Sequence, residues 1–511
     1  MKKKEVKAPK KVKASAAKKQ KKAKAQVAAA VGKKKASAAK QNPAKADKKE
    51  PKPAKSDKKI VKAAKDVKKV AKPAKSKKKK VQQATVPAPE REHTLPVYPK
   101  APADNIAPQP RQYAEKKFVP LTGPTDAGNA IDYTAYNTFS KQHGVLPVPA
   151  PRPGASMIMK LEDVLGQAAV EKITQSGTLV FHSVGDTGAD KPSRVGDEAD
   201  VAAMMAKDLN NAATGKTPAF FFHLGDVVYE FGQAGSYYAQ FYEPYCMYNA
   251  PIFAIPGNHD GMIWEDDMIT LQAFLNNFCA AVPGPAANAS SLSRTTMNQP
   301  GVYFTLQAPY VSIIGLYSNV SDKGYGVISS MGDATSPVTD AQKDYLVSEL
   351  KRLAPDRKNN KTAIILAVHH QAYTNTAETA PLTKVLDAAF AEAGIWPDVV
   401  LSGHAHNYSR YVRNIAGKQM PYIVAGCGGY NIDRYSPASN PDKTIPATLA
   451  SNADLKCYVK SFGYLKVKVT ADKLAIVFNC TEKAYGDAFD SIVIDLKSSA
   501  LTECPKGEEP L

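Results

Sequence analysis

The chain has 511 residues, with 68 basic and 48 acidic side chains and a net charge of +20. That charge is split: residues 1–80 hold 33 Lys, no Arg and five acids, a net of +28, so residues 81–511 carry 35 bases against 43 acids, a net of −8. The split excludes a uniformly basic globular domain, and the Lys/Ala-rich start, which has no aromatic residue, cannot bury enough apolar surface to offset chain entropy.

Residues 1–85 therefore read as a disordered basic tail. Blocks such as Lys18-Lys19-Gln20-Lys21-Lys22 suit non-specific, salt-sensitive contact with a polyanion (nucleic acid, polyphosphate or an anionic membrane), because each Lys near a phosphate releases counterions. From 86 to 154 prolines recur, Pro87, Pro89, Pro96 and Pro99 among the first, and this stretch reads as a linker. The run Val27–Val31 is too short for a signal-peptide core. No apolar stretch is long enough to span a membrane. Six cysteines without a CxxC spacing do not suggest a disulfide scaffold, and a reduced, cytoplasmic protein is expected.

Compact sequence runs from about 155 to 496, enough for one large domain with a sizeable core, followed by a frayed tail at 497–511. Apolar runs at 178–184, 219–224, 251–255, 363–368 and 399–401 read as buried strands, and the patterns at 198–211 and 341–353 read as helices. This alternation predicts an α/β fold with a largely parallel sheet. Later pairs, 302–306 with 311–316 and 464–469 with 474–478, read as hairpins and suggest a second sheet. The expected architecture is a layered α-β-β-α sandwich whose strand-end loops gather polar residues at one edge.

Each strand-like run stops at a candidate ligand. Gly185-Asp186-Thr187-Gly188 follows the first, and Gly225-Asp226-Val227-Val228-Tyr229 the second. Gly257-Asn258-His259-Asp260, Val368-His369-His370 and Gly403-His404-Ala405-His406 follow the others. Hydrolysis of a phosphate ester requires neutralisation of charge developing in line, and two cations about 3.5 to 4 Å apart can do this. Carboxylates, neutral imidazoles and an amide oxygen are suitable donors, and Asp226, lying between the others in the series, is the natural bridge.

The ordered series GDTG, GDVVY, GNHD, a His after Leu366-Ala367-Val368, and GHAH resembles the calcineurin-like metallophosphoesterases, and more narrowly the purple acid phosphatases. Gly188 stands where most of the superfamily has a metal-binding His, and Tyr229 stands three residues after Asp226. Gly403 to Arg410, GHAHNYSR, is similar to the narrower family's GHxHxYxR phrase. The resemblance covers roughly residues 178–429. It implies a first metal, ferric in that family, bound by Asp186, Asp226, Tyr229 and His406. A second, divalent metal (Fe, Zn or Mn) would be bound by Asp226, Asn258, His369 and His404. It also implies His259 as the catalytic side chain that meets the substrate phosphate and helps protonate the leaving oxygen. The activity so implied is hydrolysis of a small phosphate monoester by a metal-bound hydroxide.

Two other readings compete: a phosphodiesterase on the same metals, and a polyanion-binding protein acting through its tail. Among the remaining polar residues, His182 and His223 lie on apolar strands and read as satisfied core histidines. His370 is open between substrate contact and packing. Tyr408 and Arg410 are candidates for shaping the pocket, against the plainer reading of Arg410 as a solvated side chain. Trp264, Tyr317 and Tyr373 are candidates for lining the cleft, against the plainer reading of each as core.

Overall fold

The computed structural model describes residues 123–125, 131–144, 146–210, 216–318, 328–330, 338–359, 362–374, 380–415, 417–432, 447–448 and 453–510. The basic tail, residues 1–85, and the first part of the linker lie outside them.

Among the described residues the strands, in chain order, are β1 (Ile158–Lys160), β2 (Leu179–Val184), β3 (Phe221–His223), β4 (Ile252–Ala254), β5 (Phe304–Ala308), β6 (Val311–Leu316), β7 (Ala363–Val368) and β8 (Val399–Ser402). They continue with β9 (Tyr408–Ile415), β10 (Lys418–Ala425), β11 (Ala447–Thr448), β12 (Ala453–Val459), β13 (Gly463–Val469), β14 (Lys473–Cys480), β15 (Asp490–Asp495) and β16 (Leu501–Glu503). One sheet runs β1-β5-β6-β7-β8-β10-β9-β12-β11 and the other β16-β15-β14-β13-β2-β3-β4. Each has a parallel centre, β6-β7-β8-β10 in the first and β2-β3-β4 in the second, extended by antiparallel strands. The sheets are thus mixed rather than largely parallel, because β9/β10, β13/β14, β14/β15 and β15/β16 pair antiparallel across connections too short to hold a crossover helix. The two hairpins read from the sequence are β5/β6 and β13/β14.

The central strands are buried on both faces, which is why they read as unbroken apolar runs. Alternation decides which side chain goes where. Leu179 and Phe181 of β2, Phe220, Phe222 and Phe253 meet Ile313, Ile365 and Leu401 of the opposite sheet in one buried cluster. The sheets approach closely at Gly315, where a Cβ would come within 2.7 Å of Ile255 Cγ2 and 3.2 Å of Phe222 Cζ. The alternate residues Ile364, Leu366 and Val368 of β7 point outward, onto Leu346, Leu350 and Leu353 of the helix Ala341–Lys358 and onto the helix Ala380–Ala393. On the other side Val184, Phe221 and Ala254 pack with Val201 and Met205 of the helix Val195–Leu209. The layers are therefore helix, sheet, sheet, helix.

Two stretches outside the expected domain carry structure. The linker contains a helix, Tyr133–His143, started by Asp132, whose side chain accepts the N–H groups of Thr134 and Ala135 at 2.9 and 3.1 Å. Its span is free of proline, which begins again only at Pro147, and a good N-cap suffices to start it. The C-terminal tail supplies β16, paired with β15. No helix among the described residues is long and apolar enough to cross a membrane.

Candidate metal centre

The strand ends deliver the polar residues to one place from both sheets. Asp186, Asp226 and Tyr229, and Asn258 and His259 follow β2, β3 and β4 of one sheet. From the other, His369 follows β7, and His404 and His406 follow β8. Three of these residues hold left-handed backbone: Asp186 at φ 57°, Asp226 at 54° and His404 at 67°. Such a conformation costs about 1–3 kcal/mol at a non-glycine residue and clusters at functional sites. Surrounding bonds hold it in place. Asp186 N–H donates to Gly225 O at 2.9 Å, and His404 N–H donates to Asp186 Oδ2 at 2.8 Å. Gly225, at φ 97°, allows the approach, since a Cβ there would lie 2.7 Å from both Gly257 N and His369 Nδ1.

The side chains form two groups that share Asp226. In one, the Tyr229 hydroxyl lies 3.1 Å from Asp186 Oδ1, 3.0 Å from Asp226 Oδ2 and 3.4 Å from His406 Nε2. His406 Nε2 is itself 3.4 Å from Asp186 Oδ1. In the other, Asn258 Oδ1 is approached by His404 Nδ1 at 2.9 Å and His369 Nε2 at 3.1 Å, and His369 Nε2 is 3.3 Å from Asp226 Oδ2. Donor atoms of Asp226, His369 and His404 all lie within 4.8 Å of one another, a group able to hold a metal ion. All eight residues singled out from the sequence are thereby brought together, His259 through its N–H bond to Asp226 Oδ1 at 2.8 Å.

The surroundings fit cations. His369 Nδ1 donates to Leu224 O at 2.9 Å, the usual second contact of a metal-binding imidazole, so that Nε2, turned to Asn258 and Asp226, would be the donor once a cation displaces its proton. Burial and the carboxylates of Asp186 and Asp226 hold the Tyr229 phenol well above its ordinary pKa, so a phenolate here needs a cation beside it. Burial alone would raise the Asp226 carboxyl, but the imidazoles of His369, His259 and His404 hold it well below the carboxylate range. Burial works against charge on His369, yet Asp226 and Asp186 outweigh it and lift this imidazole to about 9. His404 goes the other way, to about 3, through burial and the neighbouring His369.

Several residues that build the site were not marked by the sequence. Asp260, buried, accepts N–H groups from Gly257 at 2.8 Å, Val227 at 3.1 Å and Val228 at 3.3 Å, tying the loops after β3 and β4. An acid near the start of the short helix Asn258–Gly261 was the available signal. Gln240, in a π-helical turn Tyr238–Tyr242, accepts Tyr229 N–H and donates to Tyr229 O, both at 2.7 Å. It also accounts for Gly188, where a Cβ would lie 2.7 Å from Gln240 Oε1. Glu230 and Tyr430 stand beside His259 and Tyr229, linked by a 2.6 Å bond from the Tyr430 hydroxyl to Glu230 Oε1.

His182 is buried between Tyr248 and Asp208, and His223, its pKa lowered by burial to about 3, bonds Thr187, so both are core residues. His370 is also buried, bonded to Ser318 at 2.8 Å with its ring 4.4 Å from that of His404. Tyr317 and Tyr373 are buried, while Trp264 is half-buried with its ring 4.9 Å from that of Phe139. Arg410 neither shapes the pocket nor meets solvent. It is 2 % exposed and bonds Asp490 at 2.7 and 3.0 Å and Glu503 at 3.0 Å, while Tyr408 bonds Asp490 at 2.6 Å. All six cysteines are free thiols.

Residues 180–408 match the model of the family described as calcineurin-like phosphoesterase. Among solved structures, a purple acid phosphatase from yellow lupin (Lupinus luteus) seeds is similar at 14 % identity and a TM-score of 0.43, covering 62 % of this chain and 54 % of that one. The chain thus spans about half the length of the lupin protein. The anchor protein of the Plasmodium inner membrane complex is similar at 15 % identity and a TM-score of 0.42, over 61 % of this chain and 87 % of that one. A dimetal phosphatase from Danio rerio gives 9 % identity and a TM-score of 0.36, over 62 % and 99 %. No curated protein matches the chain.

Proposed function

We propose that the chain is a binuclear-metal phosphatase acting on phosphate monoesters, of the purple-acid-phosphatase type. The observation that carries this reading is the pair of donor groups joined at Asp226, with Tyr229 in one and Asn258 in the other. Asp186, Asp226, Tyr229 and His406 would hold a ferric ion, and Asp226, Asn258, His369 and His404 a divalent iron, zinc or manganese. Bound there, the two cations would neutralise charge gathering on the phosphoryl group and lower the pKa of water.

The chain's own residues do the rest. Asp226 divides its oxygens: Oδ1 takes the His259 N–H, which fixes the loop that carries His259, and Oδ2 faces Tyr229 and His369. His259 Nδ1 faces Glu230 O at 2.8 Å, so Nε2 is left to carry a proton to the leaving oxygen. Its side chain is 14 % exposed, enough for substrate to reach it. Tyr229 is fixed at its backbone by Gln240 and at its hydroxyl by two carboxylates, leaving one rotamer. The lysine-rich residues 1–80 would bring this activity to a polyanionic surface through non-specific contacts.

Metal analysis with a visible spectrum, followed by hydrolysis of a chromogenic monoester and diester, tests the reading. Close to two metals per chain including iron, a violet band and monoester turnover are expected. Colourless protein that turns over the diester instead would move the function to a phosphodiesterase, and protein that takes up no metal would sink both.

A further inference from the structure

Glu230 stands on the wall beside His259 and is 6 % exposed. Its backbone oxygen faces His259 Nδ1 at 2.8 Å, and its carboxylate Oε2 lies 3.6 Å from the same nitrogen. Two phenols hold that carboxylate: Tyr430 donates to Oε1 at 2.6 Å and Tyr133 donates to Oε2 at 2.7 Å. Neither tyrosine belongs to the family segment 180–408. A buried carboxylate is tolerated where its oxygens are bonded, so these two donors fix where the Glu230 side chain can be.

Tyr133 begins the helix Tyr133–His143, and that helix follows the loops on either side of His259. Tyr136 packs on Phe231 at 5.5 Å between ring centroids, in the loop after β3. Phe139 packs on Trp264 at 4.9 Å and His143 Nε2 meets Asp266 at 2.9 Å, in the loop after β4. A helix contributed by the linker is therefore laid across the two loops that carry Tyr229 and His259, with its first residue bonded to the acid behind the imidazole.

We infer that Glu230 is a positioning residue for His259 and that the helix Tyr133–His143 is a strap that sets it through the Tyr133 hydroxyl. The inference rests on the phosphatase reading, with His259 as the donor to the leaving oxygen. Proton donation matters most for a basic leaving group and hardly at all for one that departs as a stable anion. A loosened His259 therefore lowers the turnover of one kind of ester selectively, whereas a defect in folding or metal content lowers all esters by one factor.

The test uses the full chain loaded with metal, as wild type, Tyr133→Phe and Glu230→Gln, on an alkyl phosphate and on dinitrophenyl phosphate. Tyr133→Phe is on the surface side of the contact and keeps the ring, so it remains informative if Glu230→Gln fails to fold. The expected result is a kcat lowered about tenfold or more on the alkyl ester, within about twofold on the dinitrophenyl ester, with KM and bound metal unchanged. Equal losses on the two esters, or none on either, would overturn the role of Glu230 and the strap while leaving the phosphatase reading in place. A metal-loaded wild type that hydrolyses neither ester would overturn the phosphatase reading, and this one with it.

Discussion

The ring of Tyr430 lies flat on that of Tyr229, with centroids 3.6 Å apart and planes 7° from parallel. Arg194 places its guanidinium 4.3 Å from the centre of the Tyr430 ring and bonds Asp190 at 2.6 Å. The stack sets the plane in which the Tyr229 oxygen meets Asp186 and Asp226. Tyr430→Ala should weaken metal retention about tenfold, the usual scale for a residue supporting a ligand, whereas Tyr430→Phe should leave it unchanged. On the proposed ferric site, competition with a chelator followed through the expected visible band separates the two, and Tyr229→Phe should lose that band altogether.

Asp260 serves as acceptor for N–H groups of three residues in two loops. Asp260→Ala would leave those donors buried without a partner, at about 1–3 kcal/mol each. A loss of roughly 3 kcal/mol or more is expected in urea unfolding. Asp260→Asn, which keeps an acceptor oxygen, should lose distinctly less.

Glu198 is wholly buried, with Oε2 accepting the Ala189 N–H at 3.1 Å and Oε1 unbonded among the described residues. Burial holds its carboxyl well above the ordinary value of 4.5. The folded chain thus keeps a proton that the unfolded chain has already released, and stability falls as pH rises from that value toward the folded pKa. Glu198→Gln removes this dependence. The variant should unfold at higher urea than wild type at pH 8, and the gap should close as pH approaches 4.

Arg410 lies on β9 of one sheet, and its partners Asp490 and Glu503 on β15 and β16 of the other. Removing one member of a buried pair costs about 3–5 kcal/mol, because the remaining charge stays buried. Arg410→Ala should lower stability by that amount while the folded fraction keeps its kcat. A kcat lowered in proportion to nothing but the folded fraction is the outcome that distinguishes a brace from a pocket residue.

The residues gathered at the site were legible in the sequence because each stands in the loop after an apolar strand, and strand ends are fixed by local pattern. What supports them was not. The bonds from Tyr133 and Tyr430 to Glu230 join residues 97 and 200 positions apart, and no period or spacing marks such a pair. The helix Tyr133–His143 was hidden by prolines on both sides, although its capping Asp132 was present. Arg410 was misplaced for the same reason: its sequence neighbours belong to the site, but strand alternation turns its side chain to the opposite sheet. The parallel centres of the sheets followed from strand and helix alternation, while the antiparallel additions depended on pairings between β9 and β12, and between β2 and β13, that only the folded chain reveals.

The loops that carry the candidate ligands come from both sheets, three from one and two from the other, and that makes the proposed cations more than reagents. An ion shared by Asp226 and His369 would act as a clasp across the seam of the sandwich, adding to the apolar contact and to the Arg410 bonds that already join the layers. Metal would then be a structural joint as well as a catalytic one. An occupied site adds RT ln(1 + [L]/Kd) to the folded state, about 4 kcal/mol at a thousandfold excess over Kd. Stripping it with a chelator should lower Tm, and the strands flanking the seam, β3 and β8, should be the first to exchange their amide protons. Any sliding of one layer over the other would change the gap between the two proposed ions, so on this reading the rigidity of the phenylalanine-rich interior would set the spacing on which hydrolysis depends.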